Sequence, residues 1–280
     1  MNIHWYPGHI AKAQKELKEK LNLVDVVLEV LDARIPLSSM YKDIEKLCPK
    51  PRLILLNKVD LISEGDISYW KNEIEKLTRC KVLPFNSEKD TKQIVKSILE
   101  LSAPIINKMV SKGLLPRATR VMVVGLPNVG KSSVINRLIK KSKTKTGAKA
   151  GVTRQQQWVR VHEKIDLLDT PGIIPTTQND QEVALKLAVV NSVSENAYDS
   201  EYVAGGLLQI LSKNYRKNLI EYYNLDENEE ITLENIALKR NWIVKNGLPD
   251  TLRTSQFILS NYRDGKIGKI VLDDRIIWIW

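Results

Sequence analysis

The segment Gly125-Leu126-Pro127-Asn128-Val129-Gly130-Lys131-Ser132 has the spacing G-x-x-x-x-G-K-[ST], which is built to handle phosphate. In that pattern successive backbone N–H groups cradle the oxygens, the lysine reaches the outer phosphates and the hydroxyl holds magnesium. Val121-Met122-Val123-Val124 before it reads as a buried parallel strand, and Ser132-Ser133-Val134-Ile135-Asn136-Arg137-Leu138 after it as a helix, which is the setting the loop requires. The residues expected on the phosphates are Asn128, Val129, Gly130, Lys131, Ser132 and Ser133.

A second segment would choose the base. Asn57-Lys58-Val59-Asp60 follows the strand-like run Leu53-Ile54-Leu55-Leu56, and the carboxyl ends of strands are where open α/β sheets bind ligands. Asp60 would accept bonds from N1–H and the exocyclic amine of guanine. Adenine presents no such donor pair, so a buried carboxylate left unpaired against it would reject ATP. Asn57 would brace the base and the loop, and Lys58 would lay its stem over the ring. Alone the tetrapeptide also fits a polar turn after a strand; beside the phosphate loop it reads as guanine recognition.

Three further pieces fit the same chemistry. Asp169-Thr170-Pro171-Gly172, after the strand candidate Ile165-Asp166-Leu167-Leu168, matches D-x-x-G, in which the aspartate holds magnesium through water and the glycine N–H meets the γ-phosphate. Thr153 would be the first-switch threonine on magnesium. Asn86 and Ser87, after Lys81-Val82-Leu83-Pro84-Phe85, would form the remaining base loop, although a strand-ending turn fits them equally. The base motif thus precedes the phosphate loop in the chain, the reverse of the usual order, so the sequence reads as a circularly permuted GTPase.

That order, with Trp5-Tyr6-Pro7-Gly8-His9, Asp32-Ala33-Arg34 and Gly151-Val152-Thr153-Arg154, resembles the ribosome biogenesis GTPase A (RbgA/YlqF) family over nearly the whole chain. The resemblance implies a cytoplasmic GTPase that assists maturation of the large ribosomal subunit by binding its RNA and proteins. Where many GTPases carry a glutamine after D-x-x-G, this chain has Ile173, which cannot orient water. By resemblance His9 takes that role once the ribosome orders the amino-terminal segment; a lone histidine near a terminus is otherwise structural or solvated. Lys131 and Thr153 complete the expected catalytic set. Asn128 resembles the asparagine by which some GTPases hold potassium, and an ordinary loop asparagine fits it as well.

The elements that must position these residues follow from periodicity. Strands are expected near 25–31, 52–57, 81–85, 120–125, 157–162 and 164–169, with helices near 40–47, 66–78, 90–112 and 131–140. Such alternation means an α/β, doubly wound, mainly parallel sheet. After Pro175 the apolar spacing turns wholly helical, as at Ala204, Leu207, Leu208 and Leu211. The expectation is a permuted GTPase domain over 1–175 and a small all-helical, RNA-binding domain over 176–280. The second switch then leads straight into the helical domain, so nucleotide state would bias RNA affinity.

Composition narrows the class. The chain of 280 residues is 43% apolar with net charge +10. Its two cysteines, Cys48 and Cys80, lack metal-ligand spacing, and no apolar run is long enough for a membrane span or a signal-peptide core. A cytoplasmic monomer using GTP, Mg2+ and, through Asn128, K+ is expected. Residues 101–150 carry eleven Lys/Arg and no acid, whereas 173–280 carry twelve basic and fifteen acidic side chains. Lys140, Lys141, Lys143, Lys145 and Lys149, with Arg137 just before, would dock RNA phosphate; a solubilising loop is the alternative. Lys213, Tyr215, Arg216, Lys217, Lys239, Arg240, Lys245, Arg263, Lys266 and Lys269 would form local patches in the helical region, or a solvated surface. The tail Ile276-Ile277-Trp278-Ile279-Trp280 has no assigned role. Against the assembly-factor reading stands a guanine-nucleotide-gated RNA-binding module with negligible turnover, for which Ile173 speaks.

Overall fold

The computed structural model describes residues 15–41, 44–47, 49–86, 90–143, 158–168, 172–173 and 180–276. His9, Ser87, Thr153, Asp169 and the end of the tail lie outside them.

The chain folds as two compact units. One takes in Tyr6–Val59 and Glu64–Thr176, the other Asp60–Ser63 and Thr177–Trp280. The first is the α/β unit. Its strands are β1 (Val26–Asp32), β2 (Arg52–Asn57), β3 (Lys81–Phe85), β4 (Thr119–Gly125), β5 (Trp158–His162), β6 (Ile165–Leu168) and β7 (Gly172–Ile173). They lie in the order β3-β2-β1-β4-β6-β5, with β7 paired to β4. Every pairing is parallel except β5 with β6. Helices are α1 (15–21), α2 (Ile44–Leu47), α3 (Glu64–Thr78), α4 (Asp90–Ser111) and α5 (Lys131–Lys143). The expected mainly parallel α/β sheet is therefore the observed one.

Burial explains the order. All seven residues of β1 and all six of β2 are buried, as mainly apolar strands are when helices cover both faces of a parallel sheet, and the buried Glu29 of β1 is paired with Arg52 of β2 at 2.8 Å. β3, with Pro84, and the half-exposed β5 take the edges, where a missing N–H or a polar side chain costs least. Parallel pairing then brings the carboxyl ends level: Asp32 is opposite Asn57, and Asn57 opposite Phe85. On β4, Val124 has Glu29 on one side and Gly172 on the other.

The second unit is helical, with α6 (Gln181–Val189), α7 (Ser200–Asn214), α8 (Arg216–Tyr223), α9 (Leu233–Lys239) and α10 (Thr251–Arg263). Asp180, Asp199, Thr232 and Asp250 cap four of the amino termini with side-chain oxygens, satisfying donors that would otherwise lack partners. Its core is aliphatic, with Leu187, Val203, Leu207, Leu211, Ile236 and Ile258 all buried. The helix α8 was not legible in the sequence, because a Tyr-Arg-Lys start and a single fully buried aliphatic, Leu219, leave too weak a period.

Candidate nucleotide-binding site

The loop Leu126–Gly130 leaves the buried end of β4 and turns into α5. Two glycines make the turn possible. A Cβ at Gly125 would sit 2.6 Å from the carbonyl oxygen of Val30, and one at Gly130, where φ is +100°, would meet Asn57 Nδ2 at 2.0 Å. Asn128, with φ of 56°, supplies a left-handed step that asparagine tolerates better than most residues. The free N–H groups at the start of α5 thereby face the end of the sheet, a ready anion site.

Lys131 begins that helix and is only 7% exposed. Its Nζ donates to the carbonyl of Leu126 at 2.6 Å. Burial pushes its ammonium down to about 8, and no acidic side chain among the described residues counters that. A buried cation without a carboxylate is costly, so this one is placed for an anion brought from outside. Ser132 and Ser133, the next two residues, are exposed.

The base motif is tied to the same loop. Asn57 ends β2, and its Nδ2 donates to the carbonyl of Val129 at 2.7 Å. Lys58 has φ of 62°, an uncommon conformation for a long side chain. Its Nζ donates to the carbonyl of Asn128 at 2.9 Å and to Asp32 Oδ2 at 2.8 Å. Asp60 follows, exposed, in a 3-10 turn, Val59–Leu61, anchored by the buried Val59. Segments about seventy residues apart in sequence are thus held within one hydrogen bond of each other.

Two features had no role at this site in the sequence, although Asp32-Ala33-Arg34 carried part of the resemblance. Asp32 is fully buried, and Arg34 binds it bidentately, Nε to Oδ1 at 2.9 Å and Nη2 to Oδ2 at 2.8 Å. Burial alone would raise the Asp32 carboxyl, but Arg34 and Lys58 hold it below the usual carboxylate range. The signal was an acid and a base two apart at a strand's carboxyl end. The second is Arg137, expected among the RNA-facing cations. Its guanidinium instead lies over the Phe85 ring, 5.1 Å from the centroid, and donates to the carbonyl of Asn86. Asn86 N–H donates in turn to Asp90 at 2.9 Å. The phosphate-loop helix therefore holds the strand end that leads into the other predicted base loop. Gly172 lies on β7 beside Val124, one residue from the start of the phosphate loop.

Comparison with known proteins gives the family. Residues 120–237 match a family model described as 50S ribosome-binding GTPase. The ribosome biogenesis GTPase A of Bacillus cereus is 40% identical over 98% of this chain and 94% of its own length. The chain belongs to the ribosome biogenesis GTPase A family. The GNP-bound YlqF of T. maritima superposes with a TM-score of 0.66 at 27% identity, covering 94% of this chain and 97% of that one. Its GDP-bound structure gives 0.63 at 26%, covering 92% and 98%. Those similarities span both units, and the GTPase reading rests on them together with the phosphate-loop geometry.

In the helical unit of this family member, several cations expected on an RNA-facing surface are engaged internally. Arg216 donates to the carbonyls of Glu227 and Glu229. Lys239 pairs with Asp226 and Glu229. Arg240 packs over Phe257 at 4.3 Å, with Tyr223 and Trp242 also in range. Arg263 caps α6 through the carbonyls of Ala188 and Val189. Lys213, Lys217, Lys245 and Lys269 are exposed. In the α/β unit α5 continues to Lys143, which places Lys140, Lys141 and Lys143 on the helix and not after it.

Proposed function

We propose that this chain is a magnesium-dependent GTPase that assists assembly of the large ribosomal subunit, with its nucleotide state setting its affinity for ribosomal RNA. The observation that carries this reading is Lys131: a buried lysine without an acidic partner among the described residues, at a helix amino terminus, on a loop clamped by Asn57 and Lys58. An anionic ligand relieves its burial, and the base motif beside it makes that ligand a guanine nucleotide.

In this reading Asp60 selects guanine, Lys58 covers the ring, and Asn86 with Ser87 completes the base pocket. Lys131 and the amides of Asn128, Val129, Gly130, Ser132 and Ser133 carry the phosphates. The hydroxyls of Ser132 and Thr153, with Asp169 through water, are hard oxygen donors of the kind magnesium takes; bound there, the ion would neutralise charge building on the β- and γ-oxygens. Potassium would add charge at Asn128. Attack by water on the γ-phosphorus is then assisted by positioning and by Lys131. Ile173 offers no hydrogen bond to that water, so turnover by the free chain is slow and His9 is the group that orients the water on the ribosome. Gly172 senses the γ-phosphate through its N–H, and release of that contact changes how the helical unit engages RNA. The names of the relatives support a ribosomal partner. The protein acts as a cytoplasmic monomer; no helix among the described residues is long and apolar enough to cross a membrane.

The test is GTP hydrolysis in Mg2+ and K+, with isolated large subunits added or withheld, for the unaltered chain and for His9→Ala. Stimulation dependent on His9 is expected. Stimulation without it keeps the partner and reassigns the water-orienting group, and its absence favours a nucleotide-gated RNA-binding module. Asp60→Asn should shift preference from guanosine to xanthosine triphosphate; unchanged preference would sink the assignment of Asp60.

A further inference from the structure

The carboxylate of Asp32 carries no role in the nucleotide reading above, yet it is heavily bonded. It is fully buried at the end of β1. Oδ1 accepts from Arg34 Nε at 2.9 Å and from the Arg34 backbone N–H at 3.1 Å, while Oδ2 accepts from Arg34 Nη2 and from Lys58 Nζ, both at 2.8 Å. One buried anion thus faces two cations, and Lys58 is the more exposed of them, with a quarter of its side chain accessible against 3% for Arg34. A structural ion pair of Asp32 with Arg34 would be complete without Lys58.

Lys58 adds a second, independent observation. Its φ of 62° lies in the left-handed region, which is unfavourable for a non-glycine residue unless its surroundings hold it. Among the contacts that hold it, Nζ bonds Asp32 on one side and the Asn128 carbonyl on the other. Asn128 itself has φ of 56°. The bridge therefore joins two strained backbone positions, one in the base loop and one in the phosphate loop, through a carboxylate rooted in the central strand.

We propose that Asp32 is a positioning residue of the nucleotide site, which acts through Lys58 to fix the phosphate loop against the base loop. This rests on the proposed guanine-nucleotide site and adds to it a residue that touches neither base nor phosphate. Without the Asp32 charge, Lys58 would lose its ionic anchor to the central strand, its hold on the Asn128 carbonyl would loosen, and the nucleotide would have to order both loops at the cost of affinity. Both attached positions, Lys58 and Asn128, precede the γ-phosphate contact at Gly172, so GDP and GTP should suffer alike.

The experiment is a double-mutant cycle on the full chain with Asp32→Asn and Lys58→Met. It reads dissociation constants for fluorescent GDP and for a non-hydrolysable GTP analogue, together with thermal unfolding without nucleotide. Asp32→Asn should weaken both nucleotides equally, by about tenfold, with the loss in turnover appearing in KM and not in kcat. In the Lys58→Met background the same change should cost no more than about twofold in affinity, although its cost in stability persists. A purely structural Asp32 would lose affinity to the same extent with or without Lys58, and that result overturns the proposal. Should Asp32→Asn unfold, Asp32→Glu keeps the charge and displaces it by one methylene, and its affinity loss must likewise vanish in Lys58→Met. If the unaltered chain binds no guanine nucleotide, the proposed function itself fails; if it binds and Asp32→Asn binds equally well, only the role of Asp32 does.

Discussion

Lys131 in the α/β unit and Lys186 in the helical unit are equally buried, at 7% and 6% exposure, and their surroundings are opposite. Lys186 meets Glu182 at 2.7 Å and Asp273 at 3.5 Å. Burial works against its charge, but those carboxylates outweigh it and hold the ammonium above the ordinary lysine range. Lys131 donates to the Leu126 carbonyl at 2.6 Å, no acidic side chain among the described residues pairs with it, and burial brings it down to about 8. Among the described residues folding supplies a counter-charge to Lys186 and none to Lys131, as the proposed phosphate role of Lys131 requires. The difference separates a structural cation from a functional one, which composition does not. By the same criterion Arg216, Lys239, Arg240 and Arg263, which read as RNA contacts by type, hold helix ends, loops and aromatic rings together.

The sharpest way to break the contrast is to make the same substitution at both lysines. Lys131→Met should lower guanine-nucleotide affinity by about two to three orders of magnitude, since it removes a charge-assisted contact to phosphate. It should leave unfolding stability in the absence of nucleotide unchanged or higher. Lys186→Met should do the reverse, leaving nucleotide affinity intact and costing about 3 kcal/mol by removing the buried ammonium that pairs with the buried Asp273. Equilibrium binding and urea denaturation on both variants check the pair; a stability loss at Lys131 matching that at Lys186 would erase the distinction.

A pH series sharpens it further. The folded pKa of Lys131 is about 8 against an ordinary 10.5, so the unfolded chain holds more protons between those values. Stability should therefore rise with pH through that window, relative to Lys131→Met, by about 2–3 kcal/mol in total. Lys186 is shifted the other way, so its contribution is present below 10.5 and is lost only as pH climbs beyond that. Urea midpoints for the two variants from pH 7.5 to 10.5 would show curves diverging at Lys131 and level at Lys186. The smallest effect is expected at the surface. Replacing Lys213 and Lys217, both exposed, by alanine should change stability by less than about 0.5 kcal/mol and lower the salt slope of RNA binding by about one per lysine. An unchanged slope would remove α7 and α8 from the RNA surface.

Much of the fold was readable from the chain because apolar period and glycine placement are local. Val26–Asp32 and Arg52–Asn57 announce buried parallel strands, and Gly125 to Ser132 announces a phosphate loop, since each pattern is satisfied within a few residues. The helix α8 and the true ends of α5 were less legible, because Arg216–Tyr223 has little apolar period and the run of lysines after Leu138 favours neither helix nor loop.

The sequence by itself determined which chemical groups this protein brings to a nucleotide and in what order: Asn57, Lys58 and Asp60 before Gly130, Lys131 and Ser132. Only the tertiary structure decided which charges are spoken for. Whether a lysine is buried with a carboxylate or without one, whether Arg137 faces solvent or the Phe85 ring, and whether Asp32 reaches Lys58 all depend on strand order and register. Those join residues far apart in the chain, and a local pattern carries no information about partners that the sheet supplies.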